Sequence, residues 1–307
     1  MSEYRVVHLP DGMTAENREP LGSKKKLWFR DQSSSRPRLL FKYNRSGTGE
    51  DWSEKISAEL AALLGLPHSL VELATFEGER GAALVDFTEN DRFALVHGNE
   101  VLEFVDPAYP KEHRFGAVSH TPGAVLSALA GLGVGLPETN RAFPAAIADA
   151  PDLFVGYLML DVWIGNTDRH HENWGVLRPR EPPHQSLILA PSFDHASSLG
   201  RELNDASRRA PGNPQHGTPV ERYAKRAWSG FYASDGSERR LTTLEAFTQA
   251  AHVRPLAAQA WLGRLQGLAQ ATVEDAVESV PDANMGPTAK AFACALLGCN
   301  AKLLSGR

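Results

Sequence analysis

Cysteine is almost missing from this chain: there are two, Cys294 and Cys299, in and just after the apolar run 291–297. Two cysteines this close cannot build a disulfide framework, so both are expected as reduced core residues. Long apolar runs are missing as well. No window approaches the ~18 residues that a membrane helix needs, and residues 1–10 hold no apolar segment behind a basic start. A cytoplasmic protein with no membrane partner is the expectation. Nor is there an excess of positive charge: 32 Lys and Arg against 37 Asp and Glu leave a net charge of -5, which gives no general pull toward phosphate backbones. Direct nucleic-acid binding is not expected. The zinc-protease pattern His-Glu-x-x-His is absent. The glycine run Gly131-Leu132-Gly133-Val134-Gly135 follows a helix-like segment and lacks the third spacing of a dinucleotide loop, so it reads as an interhelical connection.

What is present is a globular composition, 42% hydrophobic and 22% charged over 307 residues, long enough for two lobes. Residues 27–30 and 39–43 are short β-type runs on either side of the turn-rich segment 31–37, which predicts a hairpin. Residues 51–64 follow, with Ile56, Leu60, Leu63 and Leu64 at helical spacing behind acidic Glu50 and Asp51, and a stop at Gly65. Residues 71–75 and 82–87 predict two more strands around a turn at 77–81. The first 90 residues thus predict a small sheet with one helix on it. Beyond them, 123–132, 144–164, 244–270 and 288–304 carry helical apolar spacing, two β-like runs fall at 174–177 and 187–189, and 204–218 predicts a mobile surface loop.

The chemistry concentrates in Gly165-Asn166-Thr167-Asp168-Arg169-His170-His171-Glu172-Asn173-Trp174-Gly175, followed by Pro191-Ser192-Phe193-Asp194-His195. Phosphoryl transfer needs a carboxylate to orient the attacking hydroxyl and oxygen ligands to hold Mg²⁺ on the phosphates. Asp-x-x-x-x-Asn in a loop, with a later Asp at a strand end, supplies both. The residues between Asn173 and Asp194 suffice for two strands and a turn that bring Asp194 back beside Asn173. Lys42 is a lone cation at the end of an apolar strand, where a kinase keeps its phosphate-binding lysine, although a strand lysine is also a common edge residue.

The 165–173 window resembles the catalytic loop of the HipA-like kinases and, more distantly, that of the phosphatidylinositol kinases, whose Asp-Arg-His is likewise followed by an Asn. The resemblance implies that Asp168 is the catalytic base with His170 in the catalytic set, and that Asn173 and Asp194 are the metal ligands. Phe193-Asp194-His195 stands where ordinary protein kinases have Asp-Phe-Gly. Residues 52–66 resemble the family's helix in which a Glu precedes a Leu-Ala…Gly-Leu segment; this makes Glu54 the partner of Lys42, with Glu59 as the alternative. Gly22-Ser23-Lys24-Lys25-Lys26 resembles the family's phosphate-covering loop, and so places Gly22, Ser23, Lys24 and Lys26 with Lys42 among the ATP contacts, although three lysines in a row also suit a solvated patch. Residues 95–100 resemble a recurrent family segment with no evident role; a plain turn is the alternative.

The implied fold is α+β and two-lobed, protein-kinase-like, with a nucleotide-binding lobe at 1–90 and a helical catalytic lobe at 91–307, a compact version without the extra N-terminal subdomain of the larger toxins. The implied cofactors are ATP and Mg²⁺. The implied acceptor is a serine or threonine hydroxyl of a protein, with an antitoxin-like regulatory protein as partner. Where those toxins carry an autophosphorylated Ser three residues before the loop Gly, this chain has Glu19, so no phosphate-driven switch is expected there. Three other readings are a metal-dependent hydrolase built on Asp168, His170, His171, Asp194 and His195, a lipid-type kinase, and a nucleotide-binding pseudokinase scaffold.

Overall fold

The computed structural model describes residues 3–10, 12–18, 25–31, 37–89, 91–114, 116–138, 142–181, 186–212 and 218–306. Gly22, Ser23, Lys24 and Glu19 lie outside them. The chain is α+β. Its first part forms a six-stranded sheet from β1 (Val6–Leu9), β2 (Met13–Arg18), β3 (Lys26–Asp31), β4 (Leu39–Tyr43), β5 (Val71–Phe76) and β6 (Glu79–Val85), in the order β1-β5-β6-β4-β3-β2. The predicted hairpins β3–β4 and β5–β6 are both antiparallel pairs. β1 and β2 were not expected, and they form opposite edges of the sheet. Leu9 and Met13, from those two edges, meet in one cluster with Phe29, Phe41 and Ala83, so the sheet curls over an aromatic filling.

The other face of β4 packs on helix α1 (Glu50–Leu64). Strand alternation puts Phe41 and Tyr43 into the curl and leaves Leu40 and Lys42 on the helix side, where Leu40 joins Ala58, Val71, Ala82 and Leu84. The helix ends at Gly65 with φ 70°, the left-handed cap that glycine adopts without penalty.

After the sheet come β7 (Phe93–His97), α2 (Gly98–Val105), α3 (Pro122–Gly131), α4 (Ala150–Ile164), β8 (Gly175–Pro179) and β9 (Ile188–Leu189). The order continues with α5 (Asp205–Arg208), α6 (Pro219–Lys225), β10 (Trp228–Tyr232), β11 (Arg240–Thr242), α7 (Thr243–Val253), α8 (Pro255–Gln266), α9 (Gln270–Glu278) and α10 (Pro287–Leu304). All fifteen residues of α4 are buried, because α3, α7, α8 and α10 surround it. Its composition is apolar all round, as such a position demands. Trp52, Ile56, Leu60 and Leu64 of α1 belong to the same core as α4. Among the described residues no helix is long and apolar enough to cross a membrane.

Several expectations are corrected. α4 starts at Ala150, not at 144, because Asp149 caps it by accepting from the Asp152 amide. The single helix expected at 244–270 is broken at Arg254, and Pro255 opens a new one. Residues 95–100 are not a plain turn: β7 runs into α2 through a capping box of His97 and Glu100. Cys294 and Cys299 are free but only half-buried. The 204–218 segment contains the short helix α5.

Candidate active site

The loop after α4 is built on a buried ion pair. Gly165 closes the helix with φ 66°, and the next residues fold back onto Asp161. The Asp161 carboxylate accepts 2.8 Å bonds from Asn166 Nδ2, Arg169 Nε and Arg169 Nη2. Arg169 also donates from Nη1 to the Asn173 carbonyl (2.8 Å) and from Nη2 to Ser192 Oγ (2.9 Å). Its side chain is fully enclosed. Burial works against the guanidinium charge, but Asp161 outweighs it and the pKa is raised. One arginine thereby ties together the end of α4, both ends of the loop and the strand that leads to Asp194. On the far side β10 presses on the loop at Gly230, where a Cβ would sit 2.6 Å from the Arg169 carbonyl and the His170 amide. That contact requires glycine.

With its back fixed, the loop presents Asp168, whose side chain is 26% exposed. Asn173 Nδ2 donates to the Asp168 carbonyl at 2.7 Å, so the two residues singled out five apart are locked together. Arg114, unsuspected from the sequence, brings Nη2 to 3.4 Å from Asp168 Oδ2 and Nε to 3.9 Å from Glu172 Oε2. Beside Thr167, among the described residues, opens a recess of about 360 Å³ lined by Glu202, Leu203, Arg222, Tyr223 and Arg226.

Opposite the loop stands Lys42, buried on β4. Nζ lies 3.0 Å from Asp194 Oδ1 and 3.5 Å from Glu54 Oε2. Burial opposes its charge, yet Asp194 and Glu54 prevail and the ammonium is held above its ordinary pKa. Glu54 also accepts from the His195 amide at 2.6 Å, which clamps α1 to the segment around Asp194. Glu59 turns elsewhere, pairing with Lys55 at 2.8 Å. The helix register therefore selects Glu54. Asp194 has φ 59°, a left-handed conformation that costs a non-glycine residue about 1–3 kcal/mol and collects at functional positions. Lys26 stands directly across from Lys42 in the β3–β4 register, with both side chains on one face.

The histidines do not converge. His170 is buried, accepts from the Glu172 amide through Nδ1, and has its pKa pushed by burial down to about 2. It is neutral at physiological pH and sits 3.7 Å from Asp168. His171 Nδ1 bonds the Tyr109 hydroxyl at 2.7 Å, and burial lowers its pKa to about 4. His195 Nε2 bonds Ser192 Oγ. Among the described residues no group of three or more His, Cys, Asp or Glu is arranged to hold a metal.

No protein-family profile matches the sequence, and no curated protein matches it. Solved structures do. The Helicobacter pylori proinflammatory kinase CtkA superposes with a TM-score of 0.72 at 18% identity, over 97% of this chain and 95% of that one. A Shewanella oneidensis MR-1 complex of the toxin–antitoxin proteins HipA and HipB with operator DNA gives 0.59 at 13% identity, over 95% of this chain and 66% of that one. The chain therefore has the two-part fold of the CtkA and HipA kinases.

Proposed function

We propose that this chain is a Mg²⁺-dependent kinase that transfers the γ-phosphoryl group of ATP to a serine or threonine hydroxyl of a protein. The observation that carries the reading is the ammonium of Lys42 held between Glu54 and Asp194, together with Asp168 locked to Asn173. These are the parts phosphoryl transfer requires. Residues 1–90 would bind the nucleotide and 91–307 supply the acceptor side.

Lys42 holds phosphate oxygens in this reading. Lys26, opposite Lys42 in the β3–β4 register, is proposed as a second phosphate contact. The Asn173 amide nitrogen is committed to the Asp168 carbonyl, which leaves Oδ1 for a cation. With the Asp194 carboxylate it would supply oxygen ligands of the sort Mg²⁺ takes together with phosphates and water. The donor chemistry of these two residues suits the ion, which would supply neutralisation of phosphate charge when bound. Asp168 orients the acceptor hydroxyl and takes its proton. The recess beside Thr167 offers room for the acceptor segment. The HipA of the structural comparison forms a complex with HipB, and a regulatory protein partner is proposed here by analogy.

The experiment is calorimetric titration with Mg-ATP, followed by transfer of labelled γ-phosphate to a pool of serine- and threonine-containing peptides. Wild-type protein should bind and transfer, whereas Asp194→Asn should bind weakly. Absence of Mg-ATP binding by the wild type overturns the reading.

A further inference from the structure

The described cations of the catalytic loop are not available to a reacting phosphoryl group. Arg169 is enclosed and committed to Asp161, Asn173 and Ser192. His170 is neutral. Lys42, bound by Glu54 and Asp194, serves the nucleotide phosphates in the kinase reading. With Lys42 and Mg²⁺ given to the nucleotide phosphates, the acceptor side beside Asp168 is left for a cation from another part of the chain.

Arg114 meets that need. It lies in the segment between α2 and α3, and this segment is pinned on both sides of it. Lys111 pairs with Glu103 at 2.7 Å and its carbonyl accepts from Asn99 Nδ2, while the Gly116 amide donates to the Tyr232 hydroxyl at 2.7 Å. The guanidinium rests 3.4 Å from Asp168 Oδ2, with a side chain 35% exposed. In a near-attack arrangement the acceptor oxygen on Asp168 stands about 3–3.5 Å from the phosphorus. A side-chain rotation covers that distance. An arginine is always charged and presents a planar fork that matches phosphate oxygens.

We propose that Arg114 is a catalytic arginine supplied from within the chain: it rests between Asp168 and Glu172 and turns onto the transferring phosphoryl group in the transition state. The inference rests on the kinase reading. In the step the acceptor oxygen bonds to the γ-phosphorus as the bond from phosphorus to the β–γ bridging oxygen breaks. The hydroxyl proton passes to Asp168, and ADP leaves with the electron pair. Arg114 forms no covalent bond. It stabilises charge on the oxygens in flight, the part an arginine finger plays in other phosphoryl transfers. The plain alternative, a half-exposed ion pair with little effect, makes the opposite forecast.

Arg114→Ala, Arg114→Lys and wild type would be titrated with Mg-ADP alone and with Mg-ADP plus aluminium fluoride, which mimics the phosphoryl group in transit. Single-turnover transfer to the peptide pool and thermal midpoints would be measured on the same preparations. Arg114→Ala should bind Mg-ADP as wild type does, keep its thermal midpoint, lose the extra affinity conferred by fluoride, and transfer about a hundredfold more slowly or worse. Arg114→Lys should recover part of both losses. Fluoride affinity and transfer within about twofold of wild type in Arg114→Ala overturn the proposal. Faster transfer does so too, since Arg114 would then be a plug over Asp168. If wild-type protein binds no Mg-ADP, the kinase reading falls first and the inference with it.

Discussion

The two sides of the loop between Gly165 and Asn173 are built on opposite terms. Behind it, Arg169 and Asp161 are fully enclosed and satisfied by Asn166, Ser192 and backbone. In front, Asp168 and Arg114 are each about a quarter to a third exposed and approach only to 3.4 Å. A buried ion pair is tolerable only when complete, because a lone buried charge costs several kcal/mol. A half-exposed pair is worth about 0–1 kcal/mol and can be exchanged for other partners. The comparison teaches that the back fixes geometry and the front is free to do chemistry. Damage at the back should unfold the molecule, while damage at the front should disable it intact.

The sharpest test of that division is Asp168→Asn. Transfer should fall by about 10²–10⁴-fold with the thermal midpoint unchanged, because the amide keeps the shape but cannot accept the proton. Arg169→Met is its counterpart. It strands the Asp161 carboxylate and should cost about 3–5 kcal/mol in chemical denaturation; a stable Arg169→Met protein would break the comparison. The buried side also predicts a pH dependence. His120, His170 and His171, pushed by burial down to about 3, about 2 and about 4, stay neutral in the folded chain while the unfolded chain protonates near pH 6.5. Folded pKa values are depressed, so stability is fully present above about 6.5 and lost as pH falls, at about 1.4 kcal/mol per pH unit for each group. Denaturation midpoints that stay level from pH 7.5 to 5.5 would contradict this.

Smaller effects belong to the opposite wall. Lys42→Met and Glu54→Gln should each weaken Mg-ATP binding or turnover by about tenfold to a hundredfold, the worth of a charge-assisted hydrogen bond. Glu59→Gln should stay within about twofold, since its surface pair with Lys55 is of the weak kind. A larger effect at Glu59 than at Glu54 would shift the register argument to the wrong turn of α1.

Much of the site was legible because its signals are local. The apolar spacing of α1 and α4, their glycine stops, and the Asp168, Asn173 and Asp194 spacing all lie within short windows. Glu54 came from the resemblance of residues 52–66 to the HipA-like helix, and the Lys42–Glu54 contact of 3.5 Å agrees with it. Arg114 was not legible: 54 residues separate it from Asp168, and an arginine in a proline- and charge-rich segment carries no periodic signal. The edge strands β1 and β2 are short and partly polar, and only the curl of the sheet buries Leu9 and Met13. Gly230 acts through a contact with the loop that no sequence window contains. The break at Pro255 and the cap at Asp149 were readable, and the apolar pattern running across them hid both.

The central claim, that Lys42, Asp168, Asn173 and Asp194 form one phosphoryl-transfer site, is tested most directly by γ-labelled Mg-ATP and the peptide pool, with wild type and Asp168→Asn side by side. The account predicts labelled serine or threonine with wild type alone, while both proteins bind Mg-ATP equally well. Equal labelling by the two proteins, or binding of nucleotide without any transfer by wild type, would contradict it.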